Sequence, residues 1–199
     1  NIDIGGPAMT RAAAKNFLNV LVVVDPKDYE WVGQLMISGN VSVSDRRRLA
    51  AKAFQHVAFY DSLIADYLFE NSKSEQYRDK LTNAWERVSL PRYGENPHQS
   101  AAIYKRANEK GGIVNATKLH GIDMSYLNYY DADAAWSAVT SFHQPCVAIV
   151  KHSNPCGLAI SQDQTEAYKR ALSGDPVSAF GGIVGFNTKV SENTAKAME

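Results

Sequence analysis

The residues best suited to chemistry lie in one run, Lys151-His152-Ser153-Asn154-Pro155-Cys156-Gly157, directly after the apolar stretch Val147–Val150. A histidine moves protons near neutral pH. A lysine beside it can stabilise a developing oxyanion. In open α/β sheets ligands collect beyond the carboxyl ends of strands, and this pair falls there if Val147–Val150 is a buried strand. Adjacent strand residues face opposite ways. Lys151 and His152 therefore serve one pocket only if the chain bends, and Asn154-Pro155 reads as the bend. The plain alternative is a lysine and a histidine exposed at a strand end.

Three further runs carry polar or close-approach residues. Arg92-Tyr93-Gly94-Glu95-Asn96-Pro97-His98-Gln99 packs donors around a glycine and a proline. Such a loop can present fixed groups to an anionic or heteroaromatic ligand, or it can be a turn capped by its own side chains. Asp3-Ile4-Gly5-Gly6 ahead of a helix is a phosphate-type turn in outline, but it lacks the full Gly-x-Gly-x-x-Gly or Walker pattern. Lys15 follows 12 residues after Asp3 and by default is a surface lysine. Gly181-Gly182 after Phe180 is either a third close-approach turn or an ordinary entry into the next strand. Pro155-Cys156 shares its first two residues with the Pro-Cys-x-x-Cys of zinc deaminases. Ala159 stands where the second cysteine is needed, Cys146 lies ten residues upstream, and no His-x-Glu occurs. Zinc is rejected, and Cys156 is expected to be a small packing residue.

The elements that must hold these residues follow from periodicity. Ile2–Ile4 reads as a short strand, and Pro7 opens a helix over Ala8–Asn16. Val20–Val24 is a β-branched run expected to be a strand buried on both faces. Asp25-Pro26 starts a helix that runs to about Met36. This alternation points to part of a parallel α/β sheet. From Ser44 or Asp45 a long helix should bury Leu49, Ala53, Val57, Tyr60, Ile64 and Leu68, with Arg46, Arg47 and Arg48 as a solvated basic patch in its first turn. Residues 71–80 are polar and form the best boundary. Leu81–Leu90 reads equally as strand or irregular crossover. Beyond it, Ala101–Tyr104 is extended, Asp131–Phe142 and Gln164–Leu172 are helices, Gly182–Phe186 is a strand after the turn Gly174-Asp175-Pro176, and Ser191–Met198 is a helix.

Composition narrows the function classes. The 199 residues carry 21 basic and 21 acidic side chains, so net charge gives no bulk attraction to nucleic acid or anionic lipid. Hydrophobic residues make up 45%, enough to fill a core. No apolar run approaches the ~20 residues of a membrane span. Two cysteines are too few for a disulfide framework and fit a reducing compartment. The chain begins at Asn1 and ends inside a helical pattern, so it reads as an internal piece of a longer protein.

Asp3–Gly6 with Arg11-Ala12-Ala13-Ala14-Lys15-Asn16, then Arg92–Gln99, Lys151–Gly157 and Ser178-Ala179-Phe180-Gly181-Gly182 occur in this order. Together they resemble the bifunctional AICAR transformylase/IMP cyclohydrolase family of purine biosynthesis over essentially the whole chain. The resemblance implies residues 1–75 as the end of a methylglyoxal-synthase-like cyclohydrolase domain. It implies 76–199 as the start of a cytidine-deaminase-like transformylase domain without zinc. The implied chemistry is formyl transfer from 10-formyltetrahydrofolate to AICAR, giving FAICAR, and closure of FAICAR to IMP with loss of water. His152 would be the proton shuttle and Lys151 the oxyanion stabiliser. Arg92, Tyr93, Asn128 and Gly181 would hold AICAR. Asp3 and Lys15 would be the polar pair of the cyclohydrolase site, with Gly5 and Gly6 beside the nucleotide. The family works as a homodimer, and this chain lacks parts of both domains, so it is expected to be inactive alone. A non-catalytic nucleotide-binding module is the competing class, and the intact Lys151-His152 pair favours the enzyme.

Overall fold

Gly5–Lys15 folds as helix α1 in the computed structural model, which describes residues 1–70 and 77–199. Its helix formers Ala12, Ala13 and Ala14 lie in its second half, and Ala14 is buried. The helix starts two residues ahead of Pro7, and Ile2–Ile4 form no strand. The Asp3 N–H instead donates to the Tyr60 hydroxyl at 2.9 Å. Val20–Val24 also form no strand, and only Val22 of that run is buried. A β-branched run needs a neighbouring ladder to become a strand, and residues 1–70 supply none. The expected parallel sheet is therefore replaced here by helices.

Asp25 caps a single 3-10 turn at Pro26–Asp28 by accepting from the Lys27 N–H, and α2 (Tyr29–Ser38) continues from it. Gly39 ends α2 with φ 69°, the left-handed C-terminal geometry that glycine tolerates. Helix α3 (Val43–Glu70) starts after Ser42, whose N–H and hydroxyl both donate to the Asp45 carboxylate. It buries Leu49, Ala50, Ala53 and Val57. The predicted apolar face fades beyond these residues: Tyr60 and Ile64 are half-buried and Leu68 is exposed. Ala14 and Val22 pack on Ala50 and Ala53, so small residues form this core. Two of the three arginines expected to be solvated cover aromatic rings, Arg47 over Phe17 at 5.7 Å and Arg48 over Trp31 at 4.7 Å.

The chain divides into two compact units, Asn1–Trp85 and Glu86–Glu199. The expected boundary at residue 75 lies outside the described residues. Strand β1 (Trp85–Ser89) resolves the ambiguity over Leu81–Leu90 in favour of a strand, and it pairs with β2 (Ile103–Arg106). Helix α4 (Tyr126–Thr140) begins five residues before its expected start. The cause is a reciprocal cap: Ser125 Oγ accepts from the Asn128 N–H, and Asn128 Oδ1 accepts from the Ser125 N–H.

Strand β3 (Cys146–Lys151) then enters, hairpins into β4 (Asn154–Ile160), and is followed by α5 (Gln164–Gly174), α6 (Pro176–Ala179), β5 (Ile183–Phe186) and α7 (Glu192–Ala197). The sheet order is β4-β3-β5, and β3 is antiparallel to both neighbours. Alternation along β3 feeds two cores. Val147 and Ile149 pack with Ala167, Tyr168 and Ala171 of α5. Cys146 and Ala148 pack with Val139 of α4. A central strand covered on both faces reads as one continuous apolar run. The run was therefore legible as buried, but not as antiparallel.

Candidate functional site

The antiparallel pairing changes the physical basis of the Lys151–His152 site. These residues do not sit at the carboxyl edge of a parallel sheet. They sit at the tip of the β3–β4 hairpin, where Lys151 pairs with Asn154 and only His152 and Ser153 connect the strands. Asn154 and Pro155 are not the bend; they already belong to β4. His152 has φ 53° and Ser153 φ 63°. Positive φ at both central residues marks a type I′ hairpin turn, which ordinarily uses Asn-Gly or Gly-Gly. A histidine and a serine there are strained.

The turn puts both reactive side chains on one cavity. Lys151, His152, Asn154, Pro155, Cys156 and Ser178 line a space of about 340 Å³, open to solvent. That is at the small end of the ~300–1,000 Å³ typical of ligand pockets. Lys151 Nζ donates to the Phe180 carbonyl at 2.9 Å, which uses one of its three N–H bonds and ties it to the Phe180-Gly181 turn. Gly181 has φ 76°, and a Cβ on Gly182 would lie 3.0 Å from the Val150 carbonyl oxygen. A side chain at Gly181 would be strained, and one at Gly182 would press on the backbone that receives Lys151. Asp175 caps α6 by accepting from the Ser178 N–H at 2.9 Å and its hydroxyl at 2.6 Å. The hydroxyl bond, then the N–H bond, hold the Asp175 carboxyl below the usual carboxylate range. Cys156 lines the cavity, packs against the α5 core, and directs its Sγ to the Ile149 carbonyl.

Helix α4 connects the remaining expected site residues to this hairpin. The Tyr126 N–H donates to the Tyr93 carbonyl at 3.4 Å, fixing the 92–99 loop to the first turn of α4. Gly94 is buried in that loop, and its N–H donates to the Gln99 carbonyl at 2.8 Å. Arg92 is exposed, with its guanidinium 5.5 Å from the centre of the Tyr93 ring. Lys118 and, more weakly, the Arg92 charge hold Asp123 below the usual carboxylate range. Asn128 spends its Oδ1 on the helix cap. One turn later Asp131 Oδ1 accepts from the Ser153 N–H at 2.7 Å. Nothing in the local sequence singles out Asp131, because an aspartate at the expected start of a helix is an ordinary capping choice.

The other candidates are divided along α1. Asp3 and Gly6 line a second cavity of about 280 Å³ with Pro7, Thr10, His56, Val57 and Tyr60. Asp3 Oδ1 accepts from the Gly6 N–H at 3.5 Å, and a Cβ on Gly6 would run into the Asp3 carboxylate. Gly5 opens the helix beside it with free space around its Cα. Lys15 lies in the last turn of the same helix, roughly 15 Å from Gly5 at 1.5 Å per residue. The structure therefore gathers Asp3, Gly5 and Gly6 and leaves Lys15 at the far end. His56 and Tyr60 reach the cavity from α3 at i, i+4 spacing, although helical periodicity marks Tyr60 only as part of an apolar face. No group of three or more His, Cys, Asp or Glu side chains able to hold a metal gathers among the described residues. No helix among them is long and apolar enough to cross a membrane.

Comparison with known proteins agrees with the motif order. The chain is 49% identical over 201 residues to the bifunctional purine biosynthesis protein PurH of Halalkalibacterium halodurans, covering all of this chain and 39% of that protein. Its counterpart in Persephonella marina is 48% identical over 202 residues, with 100% and 39% covered. That of Aquifex aeolicus is 46% identical over 198 residues, with 99% and 39% covered. The chain thus spans 39% of the length of these relatives. The family model described as the AICARFT/IMPCHase bienzyme matches residues 13–199, running through both units, and the chain belongs to that family.

Proposed function

We propose that this chain is a segment of a bifunctional enzyme of de novo purine biosynthesis. Its second unit would belong to a cytidine-deaminase-like AICAR transformylase domain, and its first to a methylglyoxal-synthase-like IMP cyclohydrolase domain. The full protein works in the cytoplasm as a homodimer on AICAR, FAICAR and IMP. The observation that carries the transformylase reading is the shared cavity at the hairpin tip, with Lys151 anchored on the Phe180 carbonyl and His152 beside it.

The chemistry follows from those positions. The AICAR 5-amino group is attached to an electron-poor ring and is a weak nucleophile. Its nitrogen attacks the formyl carbon of 10-formyltetrahydrofolate, forming a C–N bond and placing negative charge on the formyl oxygen. Lys151 stabilises that oxyanion. His152 takes the proton that the amine must lose and returns it to N10 of the folate as the old C–N bond breaks. Arg92, Tyr93, Asn128 and Gly181 hold AICAR, with Arg92 the natural partner for phosphate or carboxamide. As the family resemblance implies, other parts of the full protein complete the AICAR and folate sites. In the first unit Asp3 and Lys15 act at ring closure, with Gly5 and Gly6 against the nucleotide. Asp3 and Lys15 would act from opposite ends of α1, which rises roughly 15 Å from Gly5 to Lys15.

Lys151→Met in the full-length enzyme tests the transformylase assignment. Loss of one preorganised oxyanion donor costs about 10²–10³ in kcat. FAICAR should then form at about that fraction of the normal rate, while added FAICAR still closes to IMP. Undiminished formyl transfer would remove Lys151 from the mechanism.

A further inference from the structure

The His152-Ser153 turn raises a question that the catalytic roles do not answer: what holds two non-glycine residues in the left-handed region at the tip of an otherwise regular hairpin. The ladder beside the tip is weak. The β3–β4 register slips between Ile149 and Val150, and Val150 faces Pro155, which has no N–H to donate. Among the described residues, the bond that grips the turn from outside the hairpin is Asp131 Oδ1 to the Ser153 N–H, 2.7 Å and partly buried. A carboxylate accepting a backbone N–H makes a short, charge-assisted bond. It reaches the turn from α4, the helix whose first turn also carries Asn128 and anchors the Tyr93 carbonyl.

We propose that Asp131 is a positioning residue for the Lys151–His152 pair: by holding the Ser153 N–H it fixes the left-handed turn that keeps both side chains on the hairpin-tip cavity. The same bond sets the hairpin at a constant distance from Asn128, one turn earlier on α4. The inference rests on the reading of Lys151 and His152 as the formyl-transfer pair. Asp131 touches neither substrate; it acts through the backbone.

The test uses three variants. Asp131→Ala keeps a strong helix former in α4 but removes the acceptor. Asp131→Asn keeps a neutral acceptor of the same shape. Asp131→Ala/Ser153→Gly supplies a residue that adopts positive φ without help. In the full-length enzyme, Asp131→Ala should lower transformylase kcat by about 10-fold to 100-fold, the size expected for a misplaced catalytic group. The KM for AICAR should stay within about threefold, since Asp131 makes no substrate contact. Asp131→Asn should keep most of the activity, and the added Ser153→Gly should recover most of what Asp131→Ala loses. Amide hydrogen exchange at Ser153 in the full-length enzyme should quicken in Asp131→Ala and stay slow in Asp131→Asn. Normal kcat in Asp131→Ala while His152→Ala is inactive would overturn the proposal. So would a loss of activity that Ser153→Gly leaves unrelieved. Full turnover in His152→Ala would refute the formyl-transfer reading itself, and the Ser153 exchange rate separates that failure because it reports on the hairpin alone.

Discussion

Gly157 closes the Lys151–Gly157 run, and the structure gives it a packing role that can be tested by one methyl group. A Cβ built on Gly157 lies 2.7 Å from the Ala171 carbonyl carbon and closer still to its oxygen. Ordinary contact begins near 3.4 Å. The obstructing atoms are helix backbone, so no rotamer change relieves the clash, and β4 and α5 must separate. Separation opens the core in which Val147 and Ile149 meet Ala167, Tyr168 and Ala171. Overpacking costs about 1–3 kcal/mol where neighbours can adjust; here they cannot, and ~3 kcal/mol is expected. For a unit of this size each 1 kcal/mol moves Tm by roughly 4 °C, so Gly157→Ala should lower it by about 12 °C. Scanning calorimetry of the 199-residue chain measures this directly. Gly33→Ala is the control: that glycine lies inside α2 with nothing within 4 Å, so alanine should stabilise by about 0.5–1 kcal/mol. A Gly157→Ala protein melting within about 2 °C of the parent would refute the steric reasoning.

Two further outcomes follow from hydrogen-bonded caps. Ser125→Ala removes half of the reciprocal cap on α4 and should cost about 1 kcal/mol, read as a lower urea midpoint; an unchanged midpoint would mean that Asn128 alone starts the helix. Asp175 is held below its ordinary 3.8 by Ser178. A carboxyl with a depressed folded pKa contributes stability above its unfolded value and loses it as pH falls through the folded value. The stability difference between parent and Asp175→Asn should therefore be full at pH 6 and shrink below about pH 4. A difference that is constant from pH 6 to pH 3 would contradict the cap.

Much of the fold could be read from local chemistry. Asp25 and Pro26 announced their helical start, Ser191 capped the helix expected from it, and the β-branched run Val147–Val150 is the buried strand it promised. The failures have a common cause in partners that no local window contains. Val20–Val24 has the composition of a strand but no ladder among residues 1–70. The pairing direction of β3 depends on a two-residue turn whose usual glycine signature is absent, since His152 and Ser153 occupy it at positive φ. The early start of α4 rests on asparagine, not glutamate, in the reciprocal cap. The same limit applies to the site. Lys151, His152 and the Arg92–Gln99 loop stand out by residue type, whereas Asp131 acquires its role only when α4 meets the hairpin. His56 and Tyr60 likewise join Asp3 only across the α1–α3 cavity.

The central claim is that His152 moves the proton in formyl transfer. It is tested most directly by turnover of AICAR and 10-formyltetrahydrofolate in full-length His152→Ala, with AICAR affinity measured by calorimetry on the same sample. Loss of a positioned acid–base group should lower kcat by about 10²–10⁴, with AICAR affinity within about threefold of the parent. Turnover equal to the parent's would contradict the account.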